Sequence, residues 1–209
     1  MLLTLALGVT MAVPAHAEPR STPAVETTDA LAALPVKGRA PLTGYSREAF
    51  GTPWKDVDGN GCDTRNDILR RDLTRTTIRA DCTVARGILK DPYTRTTITH
   101  VAGRSTIDID HVVSLSDAWQ KGAFRWTERK RTAFANDPLN LLAVDFSANR
   151  QKGDGDAATW LPPNKGYRCA FVSRQVAVKA RYGLWVTAAE RSAIVRVLDR
   201  CPGQDLPAH

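Results

Sequence analysis

The sequence lacks several features that would place it outside ordinary soluble domains. Beyond its extreme N-terminus it has no apolar run long enough to cross a bilayer. It has no internal repeat and no low-complexity tract, which excludes solenoid and fibrous architectures. Its 209 residues are 43% hydrophobic and 24% charged, a globular composition. These numbers predict one domain with a real core and one extra segment.

Closely spaced cysteines are also absent. The four cysteines are Cys62, Cys82, Cys169 and Cys201, and no two lie within four residues, so no CxxC half-site for structural zinc exists. In an oxidising compartment two disulfides are expected, and three pairings are open. We favour Cys62–Cys82 with Cys169–Cys201, because each pair encloses a local unit. Free thiols in a cytosolic protein are the alternative.

The N-terminal segment predicts export. A short apolar stretch ends in Ala15-His16-Ala17, the small-x-small pattern of a cleavage site, which favours a signal peptide over residues 1–17 and a secreted protein. No Lys or Arg precedes the stretch, so the position of the true start codon stays open. Residues 18–44, rich in Pro, Ala and Thr, predict a linker or flexible arm. A folded domain over 45–201 and a tail over 202–209 complete the prediction.

Strand-like and helical patterns alternate irregularly along the domain, which predicts an α+β fold with a small central β unit. Residues 63–73 and 167–183 carry helical spacing, and "NLLAV" (140–144) is a buried-strand candidate. Two β-rich runs, 95–101 and 105–110, are separated by a short Gly-containing segment and predict a hairpin. In the second run, Ile107 and Ile109 should face one side, and Asp108 and Asp110 the other.

The charge balance favours a polyanionic partner. The net charge is +7 and the pI is about 9.5. A basic patch, with a single Glu128 against it, contains Lys121, Arg125, Arg129, Lys130 and Arg131. Such a patch suits phosphate contacts without sequence readout. A solvated helix face is an equally good interpretation of the same residues.

Polar residues recur in a fixed order after the second β-rich run. Asp110-His111 is followed by Asn140, by Asn149 nine residues later, and by Lys152. In this order and spacing the chain resembles the HNH endonucleases. The segments "DVDGNGCDTRND", "DHVVSLSDAW" and "NRQKGDGDAATWLPPN" resemble the exported HNH family related to the C-terminal domain of GmrSD-type restriction endonucleases. The resemblance covers about residues 45–201. It implies a ββα-metal core with surrounding helices, here stapled by disulfides.

The resemblance implies a role for each residue. His111 would be the general base, Asn140 would orient it by hydrogen bonding, and Asp110 with Asn149 would hold the metal. Oxygen ligands favour Mg²⁺, with Mn²⁺ second, and no structural zinc is expected. A histidine with a pKa near neutrality can deprotonate the attacking water. Lys152, Arg65 and the basic patch would contact phosphates, of DNA first and of RNA as a second candidate.

Each residue also has an ordinary interpretation. His111 alone could be a structural histidine, Asn140 a turn residue, and Asn149 a helical surface residue. Lys152 alone could be a solvated charge, and a structural ion pair is the favoured interpretation of Arg65. Asp108 has no assigned role. Loop and capping roles are favoured for Asp117, Asp154 and Asp156, with secondary ligation or positioning of basic side chains as the alternative. Trp126 is a candidate for base stacking.

Two rival functions remain open at this point. One is a secreted, non-catalytic protein that binds nucleic acid or another polyanion, and the other is a metal-dependent hydrolase of a different ester. We expect a monomer without membrane contact after signal cleavage. An immunity partner cannot be decided from one sequence.

Overall fold

The structure is a computed structural model, and it describes residues 25–207. The predicted signal peptide over residues 1–17 lies outside the described residues. Within 25–207 the elements follow the order α1 (Thr27–Ala33), α2 (Thr64–Asp72), β1 (Thr74–Ile78), β2 (Val84–Lys90), β3 (Thr97–Val101), β4 (Ile107–His111), α3 (Leu115–Gln120), α4 (Glu128–Ala135), β5 (Leu141–Asp145), α5 (Phe146–Lys152), α6 (Arg168–Tyr182) and α7 (Ala188–Leu198). Short 3-10 helices span Glu48–Phe50, Ala123–Arg125 and Lys165–Tyr167. The predicted α+β class is confirmed.

The strands form two separate antiparallel sheets, β1-β2-β3 and β4-β5. The predicted hairpin between 95–101 and 105–110 is therefore wrong, although both runs are strands. β3 pairs with β2, and a turn in which Arg104 N donates to Val101 O ends that pairing. β4 pairs instead with the distant β5, from Ile107 opposite Asp145 to His111 opposite Leu141. The buried β5 offers the two isoleucines of β4 an apolar partner strand.

The two faces of β4 differ as the alternation predicts. Ile107 and Ile109 are buried in one core cluster with Ile68 of α2 and the β5 residues Leu141 and Ala143. The opposite face carries Asp108 and Asp110 toward α5, which follows β5 directly. The order strand, strand, helix thus places three polar positions of the sequence motif on facing elements.

Polar groups of α2 satisfy the outer edge of β5. Asp72 Oδ2 accepts a hydrogen bond from Ala143 N at 2.8 Å, and Arg71 Nη2 donates to Leu141 O at 2.7 Å. A two-stranded sheet otherwise leaves such backbone groups unpaired. The start of α5 is capped by Asp145, whose Oδ1 accepts from Ala148 N. The outer edge of β5 and the start of α5 are thereby fixed.

The first described part of the predicted arm is packed against the core. Leu31 and Leu34 are buried in the core cluster that contains Phe171 and Val172 of α6. The prediction of a linker or flexible arm over 18–44 therefore does not describe residues 25–34, whereas 35–39 and 41–44 are exposed. The Pro- and Ala-rich composition predicted no packing here. Two leucines three positions apart nevertheless anchor α1 and its C-terminal end.

The C-terminal segment runs beside the N-terminal one. Leu206 N donates to Val25 O at 3.0 Å, and Thr27 N donates to Gln204 O at 2.9 Å. Leu206 also packs against the core. The segment described as a tail at 202–207 therefore contributes to the packed structure.

Both favoured disulfides are present. Cys62–Cys82 ties the loop before α2 to the turn between β1 and β2, with the Cα atoms 5.5 Å apart. Cys169–Cys201 ties α6 to the segment after α7, with the Cα atoms 6.0 Å apart. The predicted pairing is confirmed, and it leaves no free cysteine among the described residues.

Candidate active site

A cavity of about 660 Å³ opens at the end of β4 and beside α5. Its wall includes Asp108, Asp110, His111 and Asn149. Three of the four residues that the sequence motif singled out as catalytic or metal-binding therefore meet at one cavity. Asn140, the fourth, is fully buried at the start of β5 and acts on the backbone nearby. We refer to this space as the β4–α5 cavity.

The imidazole of His111 is held by a backbone carbonyl. Its Nε2 lies 2.8 Å from Ala135 O. A carbonyl oxygen only accepts hydrogen bonds, so Nε2 carries the proton and Nδ1 keeps a lone pair. Burial lowers the pKa of His111 to about 4, since desolvation disfavours the imidazolium. The ring is therefore neutral at neutral pH and able to accept a proton at Nδ1.

Asn140 fixes the turn that follows His111. Its Oδ1 accepts from Val113 N at 2.9 Å, and its Nδ2 donates to Val113 O at 3.2 Å. The backbone of Asn140 accepts a third bond, from Val112 N. The resemblance implied a hydrogen bond from Asn140 that orients His111, but Ala135 O holds the ring. Asn140 is therefore a positioning residue for the backbone on which His111 stands.

Asp110 is buried and bonded on both oxygens. Oδ1 accepts from Lys152 Nζ at 2.8 Å, and Oδ2 accepts from the hydroxyl of Tyr93 at 2.5 Å. Burial raises the pKa of Asp110, and the Lys152 ammonium opposes that rise. Burial and the nearby Asp110 charge raise the pKa of Tyr93, so Tyr93 stays a donor.

Lys152 is itself fully buried, and its Nζ donates a second bond to His111 O. In this structure Lys152 supports Asp110 and the His111 backbone, so the predicted phosphate contact is replaced by an internal one.

Asn149 faces Asp108 across the cavity. Its Nδ2 donates to Asp108 Oδ2 at 3.1 Å, which gives Asp108 the contact that the sequence left unexplained. The residues that could hold a cation are thus two carboxylates and one amide oxygen, from Asp108, Asp110 and Asn149. Such hard oxygen donors fit Mg²⁺ or Mn²⁺ better than Zn²⁺. Within residues 25–207, no set of three or more His, Cys, Asp and Glu side chains is grouped as a metal site. A cation here would therefore keep several water ligands.

Three arginines surround the β4–α5 cavity. Arg65, predicted to contact nucleic acid, lines it and donates to Ile107 O at 3.5 Å. Arg47 and Arg150 line it as well, and both side chains are exposed. These two were not predicted from the sequence, although Arg150 directly follows Asn149. Guanidinium groups at the rim of an acidic centre suit the binding of a phosphodiester.

Lys121 contradicts its predicted role. Its side chain is fully buried, and its Nζ is paired with Asp117, Asp156 and Glu190 at 2.6–2.8 Å. It therefore cannot contact nucleic acid.

Lys121 is the centre of a buried charge network. The network consists of three cations and three carboxylates: Arg39, Lys121, Lys179, Asp117, Asp156 and Glu190. The neighbouring lysines hold the pKa of Asp117 at about 2. Asp117 and Asp156 thus hold basic side chains inside the core, and Asp156 also accepts from Ala158 N, a local capping contact.

The remaining residues of the basic patch are divided among several surroundings. Arg125 and Arg129 are exposed, and neither lines the β4–α5 cavity. Lys130 lies over the Trp126 ring and donates to Tyr182 O. Arg131 is half-buried and donates to the backbone oxygens of Ala49 and Trp126. The five residues therefore form neither one solvated helix face nor one surface at the cavity, because Lys121, Lys130 and Arg131 make internal contacts.

Trp54 is a further residue that sequence reasoning missed. Its indole lines the β4–α5 cavity, 15° from parallel to the His111 ring, with the ring centroids 6.2 Å apart. The Arg65 guanidinium lies over the indole ring, 6.0 Å from the ring centroid. No spacing signal marks Trp54, because it sits in a loop without periodicity.

The class of protein follows from this geometry. It is an α+β domain with a polar cavity at the end of a strand pair and beside the following helix. The wall of the cavity contains a histidine, carboxylates, an amide and three arginines. Comparison with known proteins gives the family. Residues 63–197, well over half of the chain, match the family described as "GmrSD restriction endonucleases, C-terminal domain". The chain belongs to this family, and membership indicates a nuclease-related function and suggests divalent-metal dependence in general.

A relative with a similar length supports the whole-chain match. A protein of Arthroderma benhamiae (strain ATCC MYA-4681 / CBS 112371), named "Uncharacterized secreted protein", is 38% identical over 204 residues. The alignment covers 96% of this chain and 98% of the relative. No helix within residues 25–207 combines the length and apolar composition needed to span a membrane.

Proposed function

We propose that the protein is a secreted, metal-dependent endonuclease of the HNH type. It would hydrolyse phosphodiester bonds of DNA, with RNA as a second candidate substrate, and with low sequence specificity. The observation that carries the proposal is the place of His111. Its Nε2 is committed to Ala135 O, and the ring lines a cavity together with Asp108, Asp110 and Asn149.

His111 supplies the base in this proposal. Because Nε2 holds the proton, Nδ1 accepts one from the attacking water. Burial lowers the pKa of His111 to about 4, so the imidazole is neutral at neutral pH but is a weaker base than the near-neutral histidine expected from the sequence. Asn140 and Lys152 keep the strand end in place, through Val113 and through His111 O. The ring therefore needs no rearrangement before it acts.

The arginines and the oxygen donors divide the remaining work. Arg47, Arg65 and Arg150 bind the phosphodiester and give contacts to the backbone, which carry no sequence information. Asp110 and Asn149 would hold the cation, with Asp108 beside them. When bound, a divalent metal, Mg²⁺ first and Mn²⁺ second, neutralises the non-bridging oxygens and the leaving 3′-oxygen.

Secretion is supported by two observations. The two disulfides belong in an oxidising compartment, and the relative from Arthroderma benhamiae is named as secreted.

Nicking of a supercoiled plasmid tests the function. Wild-type protein should nick in MgCl₂ and stop in EDTA, and His111→Ala should lower the rate by roughly 10²–10⁴-fold. His100→Gln is the matched control, because His100 is buried outside the cavity and bonded to Ser105 and Val84. Full activity of His111→Ala, or no cleavage with any divalent metal, would overturn the proposal. Salt-sensitive binding that survives EDTA without cleavage would favour the non-catalytic rival.

A further inference from the structure

A second cavity of about 480 Å³ adjoins the β4–α5 cavity. The two share Arg47, Trp54, His111 and Leu115 in their walls. The second cavity continues past Trp54 to Phe50, Pro53 and the end of α4. We name it the Trp54 cavity. Its volume is that of an ordinary small-ligand pocket, and it begins at the residue proposed to be the base.

The lining of the Trp54 cavity differs in chemistry from that of its neighbour. Phe50, Pro53, Trp54 and Leu115 supply flat or apolar surface. The polar groups are mostly acceptors, from Glu48, Glu128 and Asn136. Two carboxylates against one arginine disfavour a phosphate in the Trp54 cavity, whereas in the β4–α5 cavity three arginines balance the carboxylates of Asp108, Asp110 and Asp154. The Trp54 cavity therefore suits a neutral, flat group with hydrogen-bond donors on its edge.

Asn136 adds an unsatisfied acceptor to this wall. Its side chain is 1% exposed, and its Nδ2 donates to Thr132 O at 2.9 Å. Its Oδ1 accepts no hydrogen bond within the described part of the chain. A buried acceptor without a partner costs about 1–3 kcal/mol. The exposed acceptors of this wall, the carboxylates of Glu48 and Glu128, suit the exocyclic amino and ring N–H groups of nucleobases.

Trp54 is held rigidly enough to serve as a stacking surface. Its backbone has φ +57°, a conformation that bulky residues rarely adopt and that tends to occur at functional sites. Trp54 O accepts from Thr64 N at 3.2 Å, and Asp56 accepts from Gly59 N and Gly61 N. Cys62–Cys82 closes the same loop. The ring thus stands on a fixed loop between the two cavities.

From these observations we infer that the Trp54 cavity binds one unstacked nucleobase next to the scissile phosphate, so that the protein prefers single-stranded nucleic acid. The inference rests on the proposed function, because the base would belong to the strand whose phosphate lies at His111. A base inside a duplex has both faces stacked and its edge paired, and it enters a pocket only after extrusion. A single strand presents its bases freely.

Binding in EDTA tests the inference without requiring cleavage. Fluorescence anisotropy compares a labelled single-stranded oligonucleotide with the matching duplex at one fixed salt concentration, for wild type, Trp54→Leu and Trp185→Leu. Trp185 is the control tryptophan, since it lines neither cavity. We expect the single strand to bind about tenfold more tightly than the duplex. Trp54→Leu should lose about tenfold on the single strand alone, the size of one base–aromatic stack.

A substrate-side measurement keeps the test independent of the variant's folding. Wild-type protein is given short oligonucleotides in which successive bases are removed to leave abasic residues, and one position should weaken binding by about tenfold. Any one of three results overturns the inference. The first is equal affinity of the wild type for single strand and duplex, and the second is equal affinity of Trp54→Leu and Trp185→Leu for the single strand. The third is equal affinity of the wild type for the intact strand and for every abasic strand. These binding measurements contain no metal and require no cleavage. Absence of cleavage in the nicking experiment would therefore contradict the proposed function without deciding the outcome of the binding test.

Discussion

Two clusters of buried charge in this protein use the same residue types for different ends. The buried charge network pairs three cations with three carboxylates, and Lys121, Lys179 and Glu190 in it are fully buried. At the β4–α5 cavity, Asp110 is paired with Lys152, whereas Asp108 is bonded only to the amide of Asn149 among the described residues, and both carboxylates line an open cavity. The first cluster is closed on itself, and the second leaves the carboxylate of Asp108 without an ion pair at the wall of a cavity. Charge matching therefore distinguishes the structural cluster from the candidate active site.

Breaking the network should give the largest loss of stability. Lys121→Met removes the ammonium shared by three carboxylates and should lower the free energy of unfolding by about 3–5 kcal/mol, because uncompensated charge stays buried. Urea denaturation measures the loss. Lys165→Met, at an exposed lysine outside the network, should change stability by about 0.5 kcal/mol or less. Similar losses in the two variants would contradict a structural role for the network.

The two disulfides should differ in activity more than in stability. Removing either pair by Cys→Ser replacement should cost roughly 3 kcal/mol, since the bridged residues are 20 and 32 positions apart. Nicking by the folded protein should fall for the Cys62/Cys82 variant, whose loop carries Trp54. The Cys169/Cys201 variant serves as the control and should nick normally at a temperature at which it is folded. Equal losses of activity in the two variants would contradict a role of the Trp54 loop in the site.

At the site, loss of the lysine should be partly reversible by metal. Lys152→Met leaves Asp110 bonded to Tyr93 beside an open cavity, so we expect a loss of about 1–3 kcal/mol. A divalent cation can replace the missing positive charge there. Thermal denaturation in EDTA and in excess MgCl₂ should show recovery for Lys152→Met and none for Lys121→Met. Recovery in both variants, or in neither, would remove the distinction between the clusters.

The smallest effect is expected at the rim. Arg150→Ala should weaken DNA binding several-fold and reduce the slope of log affinity against log salt by about one. Arg125→Ala removes the same charge outside the β4–α5 cavity and should leave the slope nearly unchanged. Binding titrations over a range of salt concentrations measure both. A larger change of the salt slope in Arg125→Ala than in Arg150→Ala would indicate that the basic patch contacts the phosphates.

Local signals in the sequence were sufficient for much of the fold. The helical spacing over 63–73 and 167–183 corresponds to α2 and α6, and the apolar run at 140–144 to β5. Strand pairing was not accessible in the same way. The partner of β4 lies more than thirty residues away, so the short turn at 102–104 suggested a local hairpin that does not form.

The candidate site was predictable where its residues follow one another in a fixed order. Asp110, His111 and Asn149 could be selected together because their spacing carries the family resemblance, and they line one cavity. The environment of each residue could not be predicted. Tyr93 and Trp54 come from other segments and have no pattern. Of the three carboxylates paired with Lys121, Asp117 is four residues away, but Asp156 and Glu190 lie 35 and 69 residues further along the chain.

The antiparallel contact between Val25 and Leu206 has a consequence for the chain as a thread. Its two described ends leave the fold side by side, so a short peptide could join them without crossing the molecule. A circular permutant opened at the exposed turn around Gly103 would then keep every element in place. The positions of α1 and α7 in the chain order could therefore change without a change in how the two helices pack.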